Sequence, residues 1–161
     1  MAAHVIVLAN RTAAAPELIS ALLERSERGP IAVTLVMPAS GPGSAARAAA
    51  SQRLDAALEA WRAAGIERCE GVVCDPIPLE ALSEVWDPMR HDEVIVCTLP
   101  GQSSTWIRAD LPRSVARYTG VYVRHVVAHD PEAVPATSPP PVQQKSSLGP
   151  LSVLSWGGKT S

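Results

Sequence analysis

The sequence predicts an α/β domain, a five-stranded parallel sheet with helices on both faces. Three observations carry that expectation. Short aliphatic runs alternate with segments of helical periodicity over the first three-quarters of the chain, the pattern of strands crossed over by helices. Two of those runs, residues 4–9 (HVIVLA) and 94–98 (VIVCT), are apolar almost without interruption, as strands buried on both faces are. The second run stops at Pro100-Gly101, a turn at the place where open parallel sheets bind ligands, just past the carboxyl ends of their strands.

The first strand is the aliphatic run 4–9, best placed at the centre of the sheet. Pro16 opens a helix whose Leu18, Ile19, Leu22 and Leu23 recur at helical spacing, with Arg25 and Arg28 in its last turns and Gly29-Pro30 as the stop. Residues 31–37 (IAVTLVM) form the second strand. The Ala/Gly/Ser/Pro stretch 38–50 reads as a flexible connection whose alanines run into the next helix. That helix carries Leu54, Leu58 and Trp61 on one stripe and ends at Gly65, a C′ residue. Residues 66–74 supply a third, weaker strand. Pro76 and Pro78 introduce a helix through Leu79, Leu82, Val85 and Trp86 that ends near Asp87-Pro88. Strand four is 94–98. Asp110 is the expected N-cap of a last helix with Pro112 in its first turn, Leu111, Val115 and Tyr118 on one face, and Thr119-Gly120 at its end. Residues 121–128 (VYVRHVVA) close the sheet. Tyr122, Arg124 and His125 make this strand more polar than strands one, two and four, which suits an edge that is exposed or paired with another subunit. Five strands and four helices are expected, with right-handed crossovers.

Length and charge narrow the function classes. At 161 residues the chain suits one domain with one core, residues 1–129, followed by a tail. A formal charge of −2 speaks against a nucleic-acid surface built on bulk electrostatics. Cys69, Cys74 and Cys97 are odd in number and form no C-x-x-C pair, so they read as reduced, structural thiols. No basic segment leads into an apolar one at the start, and no apolar run reaches the roughly 20 residues that cross a bilayer. The cytoplasm is the expected location, with no membrane insertion.

From Asp130 the composition changes. Pro131, Pro135 and the run 139–141 sit among Ser, Thr, Gln and Ala, with too little apolar surface to offset the entropy of ordering. Beyond that linker the segment 148–158 is apolar again. Leu148, Leu151, Val153, Leu154 and Trp156 read either as a docking peptide for a protein partner or as incidental residues of a disordered end.

The order of elements, together with several local strings, resembles the universal stress protein family, in particular its divergent actinobacterial branch. HVIVLANRT is similar to that family's first strand and loop, and residues 74–82 (CDPIPLEAL) to its exit from strand three. DEVIVCTLPG resembles the fourth strand with its glycine, and residues 114–123 (SVARYTGVYV) the final helix and strand. The resemblance covers about residues 4–128. It implies a homodimer formed through the last strand, a stress-related regulatory role, and an ATP or AMP site after strand four. The ATP-binding members carry G-x2-G after that strand and a Gly-Ser or Gly-Thr step further on, so that backbone amides approach the phosphates. Here Gly101 matches the first glycine, Ser104 replaces the second, and the region of the Gly-Ser step reads Ala109-Asp110, where Asp110 brings a negative charge. The acidic residue that contacts the nucleoside in those members is Asn10 in this chain.

The resemblance implies the strand order 3-2-1-4-5, and that order brings the loops after strands one and four together at the topological switch point. Asn10, Arg11, Thr12, Gly101, Ser103, Ser104 and Thr105 are therefore the candidate ligand-binding residues. They hold an anion or nucleotide with help from the last helix's N-terminus, or they only cap turns and solvate a loop. Arg108 either serves the same anion or pairs with Asp110. Trp106 either stacks on a base or anchors its loop. The four histidines are scattered and no metal site is expected. No G-x-S-x-G elbow, no G-x4-G-K-[S/T] loop and no carboxylate pair in one loop is present, so no catalytic residue is assigned. Two functions stay open: an interaction module with a degenerate nucleotide pocket and no bound cofactor, or a binder of ATP- or AMP-type nucleotides. A small-molecule enzyme on the same fold is the weaker third.

Overall fold

The computed structural model describes residues 1–101 and 104–131. Ser103 and the tail residues Leu148, Leu151, Val153, Leu154 and Trp156 lie outside them. In chain order the elements are β1 (Ala3–Leu8), α1 (Pro16–Ser26), β2 (Ile31–Pro38), α2 (Ser44–Ala63), β3 (Cys69–Cys74), α3 (Pro78–Val85), β4 (Glu93–Thr98), α4 (Thr105–Arg108), α5 (Leu111–Thr119) and β5 (Val123–Val127). The strands form one sheet in the order β3-β2-β1-β4-β5, and every pairing is parallel, as expected from the sequence.

Alternation along the central strands builds two cores. Val5 and Val7 of β1, Val33, Leu35 and Met37 of β2, and Ile95 and Cys97 of β4 face α1 and α2. Ile6 and Leu8, Val36, Val94 and Val96 face α3 and α5. Covering both faces requires apolar residues at consecutive positions, which is why β1 and β4 read as unbroken aliphatic runs. Each fully buried Leu or Ile contributes about 1.5–3 kcal/mol. The edge strand β3 instead alternates in burial and leaves Val72 at 38% exposure.

The helices bury the stripes their spacing requires. Leu18 and Leu22 of α1 and Leu54, Leu58 and Trp61 of α2 enter the first core, and Leu82, Leu111 and Val115 the second. Tyr118 departs from the expected face of α5 and stays 48% exposed. The helix α2 begins at Ser44, so much of the alanine-rich connection is helical. It ends in a Schellman motif: the Ile66 N–H donates to the Trp61 carbonyl at 2.9 Å, the Gly65 N–H to that of Arg62 at 3.0 Å, and Gly65 takes a φ of 110°. Ile66 is thereby held against the first core, and the third strand starts at Cys69.

Two expectations near the last helix need correction. A fifth helix, the single turn α4, occupies the segment read as a loop, because four residues are too few to show a period. Asp110 does stand at the N-cap of α5, but its side chain makes no capping bond. Its backbone is left-handed, at φ 54° and ψ 44°, and its carboxylate lies 3.3 Å from Arg113 Nε.

The connection into β4 contains a titrating group. His91 is buried, its ring stacks on Trp86 at 5.6 Å, and its Nδ1 accepts the Asp87 N–H at 3.0 Å. Burial pushes its pKa down, with the Arg90 charge adding to the effect, and burial also lowers that of His125. An unfolded chain therefore binds these protons more readily than the folded one. The stability contributed by the neutral rings is fully present above about pH 6.5 and is lost as pH falls through that value toward the folded-state pKa. Melting temperature should drop between about pH 7.5 and 5.5, and His91→Gln should flatten the drop. An equally steep drop in that variant would remove His91 as the cause.

Candidate functional site

The carboxyl ends of β1, β2 and β4 surround a cavity of about 330 Å³. It is lined by Asn10, Arg11 and Thr12 after β1, Ala39 and Ser40 after β2, Pro76 after β3, Cys97, Thr98 and Leu99 at the end of β4, and Ser104, Thr105 and Trp106 around the start of α4. Five of the residues expected from the sequence thus meet in one place. Gly101 lies on the same connection, at φ 41°, but does not line the cavity. The N-terminus of α5, expected to assist, contributes no lining residue; the start of α4 takes that position.

The first loop is held from three sides. Asn10 donates to the Pro38 carbonyl and accepts from Arg53 Nη1 at 2.7 Å, so both ends of its amide are engaged. Thr12, buried, donates to the Cys97 carbonyl at 3.2 Å and fastens the loop to β4. Trp61, reaching up from α2, donates from Nε1 to the Ala13 carbonyl at 2.8 Å. Arg11 extends to the mouth and meets the Asp130 carboxylate at 3.0 Å, with the arginine side chain 58% exposed and the aspartate 9%. Asp130 therefore bonds to the candidate site, although the sequence placed it in the tail.

On the opposite wall the Ser104 hydroxyl caps α4, accepting the Ile107 N–H at 3.2 Å. Trp106 is half-buried, lines the cavity, and packs against the second core, so its anchoring role is present. Thr98, buried at the floor, bonds His125 Nε2 at 2.8 Å. Burial pushes the Cys97 thiol up to about 11, and the same cause brings Cys74 to about 11. Both thiols are protonated at neutral pH and are poor nucleophiles.

The sequence reading missed Ala39, Ser40 and Pro76. Their signal was available: β2 adjoins β1, so its carboxyl end faces the same crevice. Arg53 and Asp130 gave none, being separated from Asn10 and Arg11 by 43 and 119 residues.

Comparison with known proteins agrees with this architecture. No protein-family model and no curated protein matches the chain. Among solved structures it is similar to a crystal structure of a universal stress protein in complex with cAMP, with a TM-score of 0.53 at 16% identity, over 80% of this chain and 97% of that one. The chain has a universal-stress-protein-like α/β fold. Among the described residues no helix is long and apolar enough to cross a membrane, and no group of three or more His, Cys, Asp or Glu side chains is arranged to hold a metal ion.

Proposed function

We propose that this chain is a non-catalytic regulatory module that binds a compact nucleotide, of the AMP or cyclic AMP type, at the switch point. The observation that carries the reading is the cavity itself. It offers about 330 Å³ at the switch point, walled by Asn10, Arg11, Thr12, Ser104 and Thr105, at the small end of the usual ligand-site range. The similar solved protein holds cAMP, which favours a ligand of that class. A triphosphate fits the residues less well. Ser104 stands where the second glycine of a phosphate cradle is expected; its oxygen accepts the Ile107 N–H, and its Cβ and side chain stand where a glycine would let the backbone approach phosphates. Asp110 keeps the left-handed backbone a glycine would supply, yet adds a carboxylate to that turn. Trp106 offers an aromatic surface in the cavity wall for a base. The protonated Cys97 and the absence of a paired general base among the lining residues favour binding over chemistry.

Thermal denaturation with AMP, cyclic AMP and ATP tests the proposal. A ligand at about 100 times its Kd adds roughly 2.7 kcal/mol, so AMP or cyclic AMP should raise the melting temperature by several degrees, and ATP by no more than AMP does. No shift with any of the three would end the nucleotide reading.

A second property rests on the edge of the sheet. Among the described residues β5 has an unpaired side, and Val127 in it and Tyr122 just before it are 47% and 66% exposed, an arrangement that supports a homodimer formed through this strand. Sedimentation should give a dimer for the native chain and a monomer for Val127→Asp. A native monomer at high concentration would exclude the interface.

A further inference from the structure

The charges around the cavity are distributed unequally. Among the described residues no carboxylate lines it, and Arg11 is the one charged side chain in its lining. Behind Asn10 stands Arg53, half-buried, whose guanidinium donates to the Asn10 amide oxygen; among the described residues no carboxylate lies within ion-pair distance of it. A guanidinium taken partly out of water without a counter-ion is a standing cost, and a bound anion nearby would relieve it. Arg47, also on α2, gives one long hydrogen bond to the Val73 carbonyl at 3.4 Å and, among the described residues, has no ion pair either. The opposite wall is different. The Ser104 hydroxyl caps a single helical turn, Arg108 is exposed and outside the lining, and the nearby turn carries the Asp110 carboxylate.

We infer that the ligand's anionic group faces the β1 and α2 end of the cavity, against Arg11 and the Asn10–Arg53 pair, and that Asp130 is a built-in counter-ion which the ligand displaces from Arg11. The inference rests on the ligand-binding reading above and adds an orientation to it. Its physical basis is competition for one guanidinium. The Asp130 carboxylate, 9% exposed, is held against Arg11 at 3.0 Å and already supplies the contact that a phosphate monoester would make. Binding therefore exchanges one anion for another at Arg11, while Arg53 gains a counter-charge it lacks. Affinity is lower than the cationic wall alone would give, and it responds to anything that draws Asp130 away. That response couples the pocket to the stretch of chain just after β5.

Calorimetric titration of the full chain with AMP and with adenosine separates the possibilities, because the two differ by the phosphate alone. AMP should bind the native chain more tightly than adenosine does. Arg11→Ala should weaken AMP about tenfold and leave adenosine unchanged. Arg53→Gln retains a donor for Asn10 but removes the charge, and should weaken AMP about threefold with adenosine again unchanged. Asp130→Asn should do the reverse and tighten AMP about threefold. Equal binding of AMP and adenosine, or an AMP affinity that ignores Arg11 and Arg53 but falls in Ser104→Ala, would overturn the orientation while leaving the nucleotide reading intact. Weaker or unchanged AMP binding by Asp130→Asn would overturn the counter-ion role. If neither AMP nor adenosine binds, the pocket reading fails and the orientation with it.

Discussion

Replacing Trp61 with alanine should cost the fold about 3–5 kcal/mol and lower the melting temperature by roughly 10–20 °C. Among the described residues Trp61 is the largest fully buried side chain, filling the space between α2, the sheet and the loop after β1. Its removal leaves a void that close-packed neighbours only partly close. It also leaves the Ala13 carbonyl, now paired with Nε1 at 2.8 Å, without a protein donor. That second loss reaches the cavity. Residues 10–15 fold as consecutive turns, with the Ala13 N–H on the Asn10 carbonyl and the Ala15 N–H on that of Thr12, and Trp61 pins them from below. Trp61→Phe separates the two effects. It keeps much of the packing and drops the donor, so it should cost about 1–3 kcal/mol in urea unfolding and weaken AMP binding more than its stability loss explains. A phenylalanine variant with native AMP affinity would show that the indole N–H does not hold the ligand loop in shape.

Trp61 also marks the boundary of what the sequence discloses. Its place on the Leu54–Leu58 stripe follows from helical spacing, so its burial is legible; its bond to Ala13, 48 residues away, is not. The same division runs through the chain. Which strands are interior and which lie at an edge follows from composition, since strands buried on both faces need unbroken aliphatic runs and edge strands do not, and β1 and β4 differ from β5 in this way; the full order comes with the family resemblance. Helix ends follow from Pro16, Pro78, Gly65 and Gly120, whose backbone chemistry acts locally. The switch-point loops follow from strand order alone. What stays hidden is set by contacts between distant residues or by elements shorter than a period. Asp110 illustrates the first case, because an N-cap residue is recognised by type, but Arg113 takes its carboxylate and the backbone turns left-handed. The single turn α4 illustrates the second. The charge asymmetry of the cavity combines both, as it depends on Arg53 lying behind Asn10 and Asp130 lying against Arg11.

Gly71→Val should destabilise the chain by about 2–3 kcal/mol, although its position on an edge strand suggests tolerance. A Cβ at this position would lie 2.6 Å from Leu54 Cδ1, 3.2 Å from Leu54 Cγ and 3.1 Å from the Leu35 carbonyl oxygen. The first two contacts involve a side chain, but Leu54 is buried against the sheet and has little room to withdraw. The third involves the backbone of β2, opposite Gly71 in the parallel ladder, and yields only if the two strands part. The glycine is thus required by the close seating of α2 on β3 and not by its own dihedral angles. It follows that the cost should depend on Leu54. Leu54→Ala alone creates a cavity and should cost about 2–4 kcal/mol, yet in that background Gly71→Val should cost clearly less than in the native chain, a coupling of about 1 kcal/mol or more. Strictly additive losses in the double variant would place the strain on the Leu35 carbonyl instead, and would predict that Gly71→Ala is nearly as damaging as valine. Because α2 also carries Arg53 and Trp61 to the ligand loop, the valine variant should weaken AMP binding as well, by lifting the helix that holds Asn10 in place.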